Sequence, residues 1–369
     1  MKLLKVQEYL LTVNNSLETL KRDFSIEYRI NGDKVSLNYN QISSPMGEVL
    51  VQECRGLILN NKTFDIIAYP FKKFFNIEEP FAAKIDILNS FSYEKLDGSL
   101  LVLSYYNGWS FSTRSMCEAE GTCNAGISYK DLALEAFKRM GIDFEVLKLK
   151  LNKRYTYMFE LQTPHNHIVI YSENYKITLI GVRDLDTLEE LPIENIASEL
   201  GFLTPKEYIF HNYNEISNFL ESWNKDKIEH EGFVLLDKDF NRVKIKAEAY
   251  KAAHGILSSI AASPRNMMKL ILLDNVDDLS FVKDGLIINR LNFFIEKVKA
   301  LIKTIESDWD KYKDIKVDKE FALLIINLPY KAALFSLRRN KVNSISEFIK
   351  SCSKSDSSID RVINWCKII

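Results

Sequence analysis

The sequence predicts an α+β protein: a strand-rich body of packed, mainly antiparallel sheets, followed by an all-helical C-terminal domain. Up to Lys246, short apolar runs alternate with Asn-Gly and Asp-rich turns at hairpin spacing. Beyond it, Ile287, Leu291, Phe294, Val298, Leu301 and Ile305 recur at helical spacing and turn signals become sparse. A chain of 369 residues is long for one core and comfortable for two. Domains are therefore expected at 1–250 and 251–369.

Taken in order, Leu3, Leu4, Leu10, Leu11, Leu17 and Leu20 predict one helix from Leu3 to about Arg22. Tyr28-Arg29-Ile30 and Val35-Ser36-Leu37 flank Asn31-Gly32-Asp33 and predict a hairpin. Gly56–Leu59 with Ile66–Tyr69, and Leu101–Tyr106 with Trp109–Ser112 across Asn107-Gly108, predict two more. Tyr129–Leu151 has helical spacing interrupted near Gly141, and strands are expected at Tyr155–Leu161, Ile168–Tyr171 and Tyr175–Val182. Ile193–Leu200 and Tyr213–Trp223 read as helices, and Glu231–Leu236 with Arg242–Lys246 as a last hairpin across Asp237–Asn241. The tail continues in helical style through Phe321–Phe335 and Ile345–Ser351, punctuated by Pro264 and Pro329.

Composition excludes several classes. At 46% hydrophobic and 27% charged, the chain is neither disordered nor membrane-embedded in character, and no apolar run approaches the ~20 residues of a membrane span. The stretch Met1–Asn14 has no apolar core or cleavage site of a secretory signal. Cys54, Cys117, Cys123, Cys352 and Cys366 form no Cys-x-x-Cys pair, which points to reduced thiols in a cytoplasmic setting. His165 and His167 would share one face of a strand, but no third zinc ligand is near them. The net charge of −1 argues for no partner globally. From Gly255 onward, however, 19 Lys+Arg face 14 Asp+Glu, a mildly basic balance.

The chemistry centres on Glu94-Lys95-Leu96-Asp97-Gly98-Ser99. Asp97-Gly98 reads as a tight turn leading into the strand Leu100–Leu103, and Lys95 at the end of the preceding strand can point into a cleft. Arg55, beside Gly56 at the mouth of a strand, can fork onto phosphate oxygens or form a surface ion pair. Lys73 stands beside Phe74 and Phe75. Glu160 lies inside the apolar strand Tyr157–Leu161, a costly place for a carboxylate unless something binds it, and Glu231 opens the strand Gly232–Leu236 in the same way. Alternation puts Lys244 and Lys246 on one face, where they repel unless an anion lies between them. Such a set suits chemistry at an α-phosphate. A neutral amine attacks, with its pKa lowered by neighbouring cations, while other cations neutralise phosphates and carboxylates hold a divalent metal.

Lys95-Leu96-Asp97-Gly98, Phe159-Glu160, Ile177–Arg183, Glu231-Gly232-Phe233-Val234 and Lys244-Ile245-Lys246 resemble, in order, motifs I, III, IIIa, IV and V of the covalent nucleotidyltransferases. Glu53-Cys54-Arg55-Gly56, Lys73-Phe74-Phe75-Asn76 and Lys176-Ile177 with Val182-Arg183 narrow the likeness to RNA ligase family 1, the phage-type tRNA-repair ligases, over about residues 28–250. The resemblance implies a nucleotidyltransferase (ligase adenylation) domain, ATP as co-substrate with Mg2+ or Mn2+, and sealing of RNA 5′-phosphate and 3′-hydroxyl ends, nicked tRNA among them. It implies Lys95 as nucleophile, Glu160 on the ribose and as a metal ligand, and Glu231 as a metal ligand that acts partly through water. Lys244 and Lys246 would act on the ATP phosphates, Lys246 orienting the α-phosphate, while Arg55 and Lys73 contact the phosphates. Arg114 stands where the family has a lysine. A monomer in the cytoplasm (the host's, for a viral protein) with no membrane partner is expected. The helical tail would recognise tRNA, with Lys331, Arg338, Arg339 and Lys341 as candidate contacts. A catalytically idle RNA-binding relative and a DNA-ligase-like enzyme are the alternatives. A tail without the short alternating strands of an OB-fold argues against the latter.

Overall fold

A computed structural model describes residues 2–41, 43–123, 125–223, 228–273 and 285–368, and the chain divides into two compact units, Met1–Lys251 and Ala252–Ile369. The first unit is built on three sheets. The chain opens with β1 (Ile26–Asn31), β2 (Lys34–Tyr39), β3 (Arg55–Asn60) and β4 (Ile66–Ala68), which pair in that order as an antiparallel sheet. It continues through β5 (Phe75–Asn76), β6 (Phe91–Lys95), β7 (Ser99–Tyr105), β8 (Trp109–Thr113), β9 (Tyr155–Gln162), β10 (Lys176–Asp184) and β11 (Glu190–Leu191). It closes with β12 (Glu207–Tyr208), β13 (Gly232–Leu236) and β14 (Arg242–Lys246). The second sheet has the order β11-β10-β9-β7-β8 and the third β12-β6-β13-β14-β5. Every pairing is antiparallel except β14 with the short β5.

The second sheet buries both faces of its central strands. Leu101, Leu103, Tyr157, Phe159 and Leu161 pack on helices Tyr129–Arg139, Phe144–Lys150 and Ile193–Leu200 through Phe137, Leu147 and Ala197. On the opposite face of β7 and β9, Val102 and Met158 meet Ile58, Ile67 and Phe71. Glu160 follows Met158 by two residues and so looks to that same inter-sheet side.

Several expectations are corrected. The predicted helix Leu3–Arg22 is two helices, Lys5–Thr12 and Leu17–Phe24. Asn14 and Asn15 take left-handed backbone (φ 51° and 60°), and Ser16 caps the second helix by accepting the Thr19 N–H at 3.2 Å. Ile168–Tyr171 forms no strand, because its amides are used by a side chain described below. His165 and His167 therefore sit in a turned segment, and no group of three His, Cys, Asp or Glu able to hold a metal occurs among the described residues. The turn read at Asp97-Gly98 is a bend that carries the chain from β6 in one sheet to β7 in another.

All described elements of the second unit are helical, including Pro264–Leu272, Gly285–Tyr312, Asp318–Ile325, Lys331–Arg338, Ile345–Ser351 and Asp356–Trp365. The stripe Leu291, Phe294, Val298, Leu301 and Ile305 is buried as its spacing predicts. The expected run Phe321–Phe335 is broken into two helices around Pro329, which lacks the amide a helix interior needs. The five cysteines are buried free thiols. No described helix is long and apolar enough to cross a membrane.

Candidate active site

Lys95, Gly232 and Lys246 are register partners on the adjacent strands β6, β13 and β14, so the two lysines flank a residue that contributes no side chain. Glu231 enters from just before β13 and bridges them: Lys95 Nζ donates to Oε2 at 2.8 Å, and Lys246 Nζ lies 2.7 Å from Oε1. Glu231 is only 2% exposed, so both ends of its carboxylate are committed to these cations inside the protein. Lys244, two residues before Lys246, shares its face, while Val243 and Ile245 are buried on the other. Burial, together with the charges of Lys73, Lys246 and Lys95, lowers the Lys244 pKa to about 8.

Lys95 departs from the expectation that neighbouring cations lower its pKa. Burial pushes it down, but Glu231, Glu160 and Asp97 outweigh burial and the net shift is upward. The carboxylates act on this amine more strongly than the cations do, so the ammonium form is held.

Glu160 pairs in register with Leu100 and Thr178, and its carboxylate accepts no hydrogen bond from the described residues. Burial raises its pKa to about 7, against the pull of Lys95. The folded chain thus binds this proton where the unfolded chain, at its ordinary value of 4.5, has released it. Stability should therefore decline as pH rises from about 4.5 to about 7, by at most ~1.4 kcal/mol per unit. Urea titrations across that window should show Glu160→Gln flattening the slope; an unchanged slope would contradict the assignment.

Arg55, at the start of β3, has a buried Nη1 with no hydrogen-bond partner, and its guanidinium lies 5.5 Å from the Phe74 ring centre. It is not a surface ion pair. A buried donor of this kind suits an anion. Arg114, directly after β8, stacks over Tyr39 at 4.7 Å, and its charge reaches Arg55. Lys73 lies over Tyr39 at 5.6 Å and Phe75 at 5.0 Å. Arg55, Lys73, Lys95, Arg114, Glu160, Glu231, Lys244 and Lys246 thus come from all three sheets of the first unit. Their charges act on one another: Arg114 and Glu160 on Arg55, Glu231 and Glu160 on Lys95, and Lys73, Lys246 and Lys95 on Lys244.

Two residues of this arrangement, Asp97 and Tyr250, have a role that the sequence reading did not give them. Asp97, 3% exposed, accepts the Val169 and Ile170 N–H groups at 2.8 and 2.7 Å on Oδ2, and the Tyr250 hydroxyl at 3.0 Å on Oδ1. It fixes the bend after Lys95 by tying it to the 163–170 segment and to the helix that begins at Glu248. Gly98 is needed for space, not for an unusual φ: a Cβ there would stand 2.4 Å from the Leu161 carbonyl oxygen. Tyr250 also carries Lys246 over its ring at 5.1 Å. No local pattern marks a tyrosine four residues past a strand as such a partner.

The carboxylates do not make a protein-only metal cage, since Asp97 already accepts from three donors and each Glu231 oxygen already meets a lysine, which leaves them few lone pairs. Glu160 without a donor, with Glu231 nearby, fits a divalent ion that keeps water and phosphate oxygens as most of its ligands.

An RNA ligase family model matches residues 53–250, more than half of the chain, and the chain belongs to that family. The motif resemblance is met there. Among curated relatives, the "Putative bifunctional polynucleotide kinase/RNA ligase" of Autographa californica nuclear polyhedrosis virus is 28% identical over 368 residues, covering 92% of this chain and 51% of that protein. The RNA ligase of Rhodothermus phage RM378 is 26% identical over 344 residues, covering 75% and 77%. The chain thus spans about half the length of the first of these. Among solved structures, a point mutant of Naegleria gruberi RNA ligase with ATP and Mn is 17% identical with a TM-score of 0.36, covering 46% of this chain and 52% of that one.

The tail candidates divide differently. Arg338 donates to Asp318 Oδ1 at 2.7 Å and to the Ile315 carbonyl at 2.8 Å, so it joins two segments of the second unit. Lys331 donates to the Ile326 carbonyl at 2.8 Å, and Arg339 lies 5.6 Å from the Phe335 ring centre. Lys341 is exposed.

Proposed function

We propose that this chain is an ATP-dependent RNA ligase that joins 5′-phosphate and 3′-hydroxyl ends through a Lys95 adenylate, with nicked tRNA as its repair substrate. The carrying observation is the Lys95–Glu231–Lys246 contact on one face of three neighbouring strands. Glu231 takes the Lys95 proton, freeing the amine to attack the α-phosphorus. An N–P bond forms and the bond to the β-phosphate breaks. Pyrophosphate leaves with its charge held by Lys244, Lys246, Lys73 and Arg55. An oxygen of the RNA 5′-phosphate then attacks the adenylate phosphorus, the N–P bond breaks and Lys95 regains its proton. The 3′-hydroxyl oxygen attacks the activated 5′-phosphorus, its proton passes to solvent, the bond to the AMP phosphate breaks and AMP departs. Glu160 accepts from the ribose. A divalent ion, with Glu231 and Glu160 as its protein carboxylates, would neutralise phosphate charge.

Incubation with labelled ATP and Mg2+ or Mn2+ tests this reading. An acid-stable, hydroxylamine-labile adenylate is expected, absent in Lys95→Ala. If no adenylate forms, or if the variant is labelled, an idle RNA-binding relative is the better description. The tail's part is read separately. Because Tyr250 lies in the helix Glu248–Ala262, a truncation must fall after residue 262 to leave the Asp97 network whole. Such a truncation should adenylate itself normally yet lose roughly tenfold in sealing of nicked tRNA relative to linear RNA. An unchanged ratio would remove the tail from tRNA recognition.

A further inference from the structure

Beyond Lys244 the same face of β14 ends at Arg242, and there a cleft of about 580 Å³ opens within the first unit. Its lining includes Lys72, Lys73, Phe81, Lys238, Phe240 and Arg242. Phe74 is the wall it shares with the site above: that ring lines the cleft and lies 5.8 Å from Lys244 Nζ and 5.5 Å from Arg55. Five cations face three carboxylates around the lining, so its balance is positive. Glu190 pairs internally with two of those cations, Arg183 at 2.6 Å and Arg242 at 2.7 Å, which leaves Lys72, Lys73 and Lys238 against Glu189 and Asp239.

Two phenylalanines here are not explained by core packing. Phe81 is 52% exposed, its ring lying against Gly47 and 5.8 Å from the Phe75 ring centre. Phe240, partly exposed, holds φ at 60° in the β13–β14 loop, a conformation that asparagine or glycine adopts far more cheaply. A phosphate-only ligand would have no use for these rings. A nucleic acid with unstacked bases uses both elements at once, cations along its backbone and aromatic faces for its bases.

We infer that this cleft seats a single-stranded RNA segment leading to the end that is sealed, with bases on Phe81 and Phe240 and phosphates on Lys72 and Lys238. The inference rests on the ligase reading for the role of the bound RNA, not for the binding itself. None of these four residues belongs to the adenylation set.

The test compares Phe81→Ala/Phe240→Asn and Lys72→Ala/Lys238→Ala with the unaltered protein, using a fluorescent 5′-phosphorylated RNA of about twelve nucleotides. Asparagine at 240 removes the ring while suiting the backbone. The aromatic pair should weaken binding roughly tenfold or more. The lysine pair should also lower the slope of log affinity against log salt by about 1.4, the value for two single-strand phosphate contacts. Self-adenylation should be unchanged in both, and the KM for RNA should rise. Unchanged RNA affinity with normal adenylation overturns the inference. Lost adenylation also overturns it, because the cleft would then hold the triphosphate. Should the unaltered protein form no adenylate, the ligase reading fails, and the RNA affinities still decide whether the cleft binds RNA.

Discussion

Glu231→Gln is expected to slow formation of the Lys95 adenylate by about 100-fold or more at neutral pH, the usual scale for a positioned proton acceptor. The same substitution should change the shape of the pH dependence. In the unaltered protein the carboxylate holds the Lys95 ammonium at 2.8 Å and, with Glu160 and Asp97, raises its pKa against the effect of burial. Adenylation should then accelerate as pH rises toward the lysine range. With a neutral amide at 231, burial and the nearby Lys244 and Lys246 charges act on Lys95 with less opposition, so its proton is lost at lower pH and the profile flattens. Single-turnover labelling across pH measures both effects. A variant with the rate and profile of the unaltered protein would remove Glu231 from the proton transfer. The cost in stability should be smaller than for a fully buried pair, because both lysines reach solvent: about 2–3 kcal/mol by urea unfolding.

Gly232→Ala should destabilise the first unit by about 3 kcal/mol or more, with loss of adenylation. Gly232 has φ 149°, and a Cβ there would lie 1.9 Å from the Ile245 carbonyl oxygen, a backbone atom that cannot rotate away. Relief requires β13 to separate from β14, which moves Lys246 away from Glu231. Gly255→Ala is the contrasting case. It is exposed within a helix, a Cβ there meets nothing within 4 Å, and the change should add about 0.5–1 kcal/mol. Denaturation midpoints separate the two. Comparable values for both variants would show that the β13–β14 approach is not the constraint.

The hairpins were legible because their turns are local: Gly32 and Asn107-Gly108 declare β1–β2 and β7–β8 within a few residues. Lys244 and Lys246 were legible because strand periodicity alone puts them together. The sequence grouped Lys95 with distant Glu231, Lys244 and Lys246 by residue type and motif, but which atoms touch could not be read. Lys95 and Glu231 are 136 residues apart, and only the β6–β13 register makes them neighbours. The apolar segment Ile168–Tyr171 imitates a strand, yet the Val169 and Ile170 amides go to Asp97. The turn at Asp97-Gly98 was legible, but local composition does not tell which sheet receives the next strand. Arg338 looked like a free cation and instead links Asp318 and Ile315.

The three donors to Asp97 also order events in time. A ribosome delivers Lys95 long before Val169 and Ile170, and Tyr250 later still. Until Tyr250 has emerged, the bend behind Lys95 lacks one of its three ties, and β13 and β14 are only just available to supply Glu231 and Lys246. This lysine, early in the chain, is thus among the last features of its unit to acquire a fixed position. A truncated product released before residue 250 carries the Lys-Leu-Asp-Gly motif but not its full surroundings.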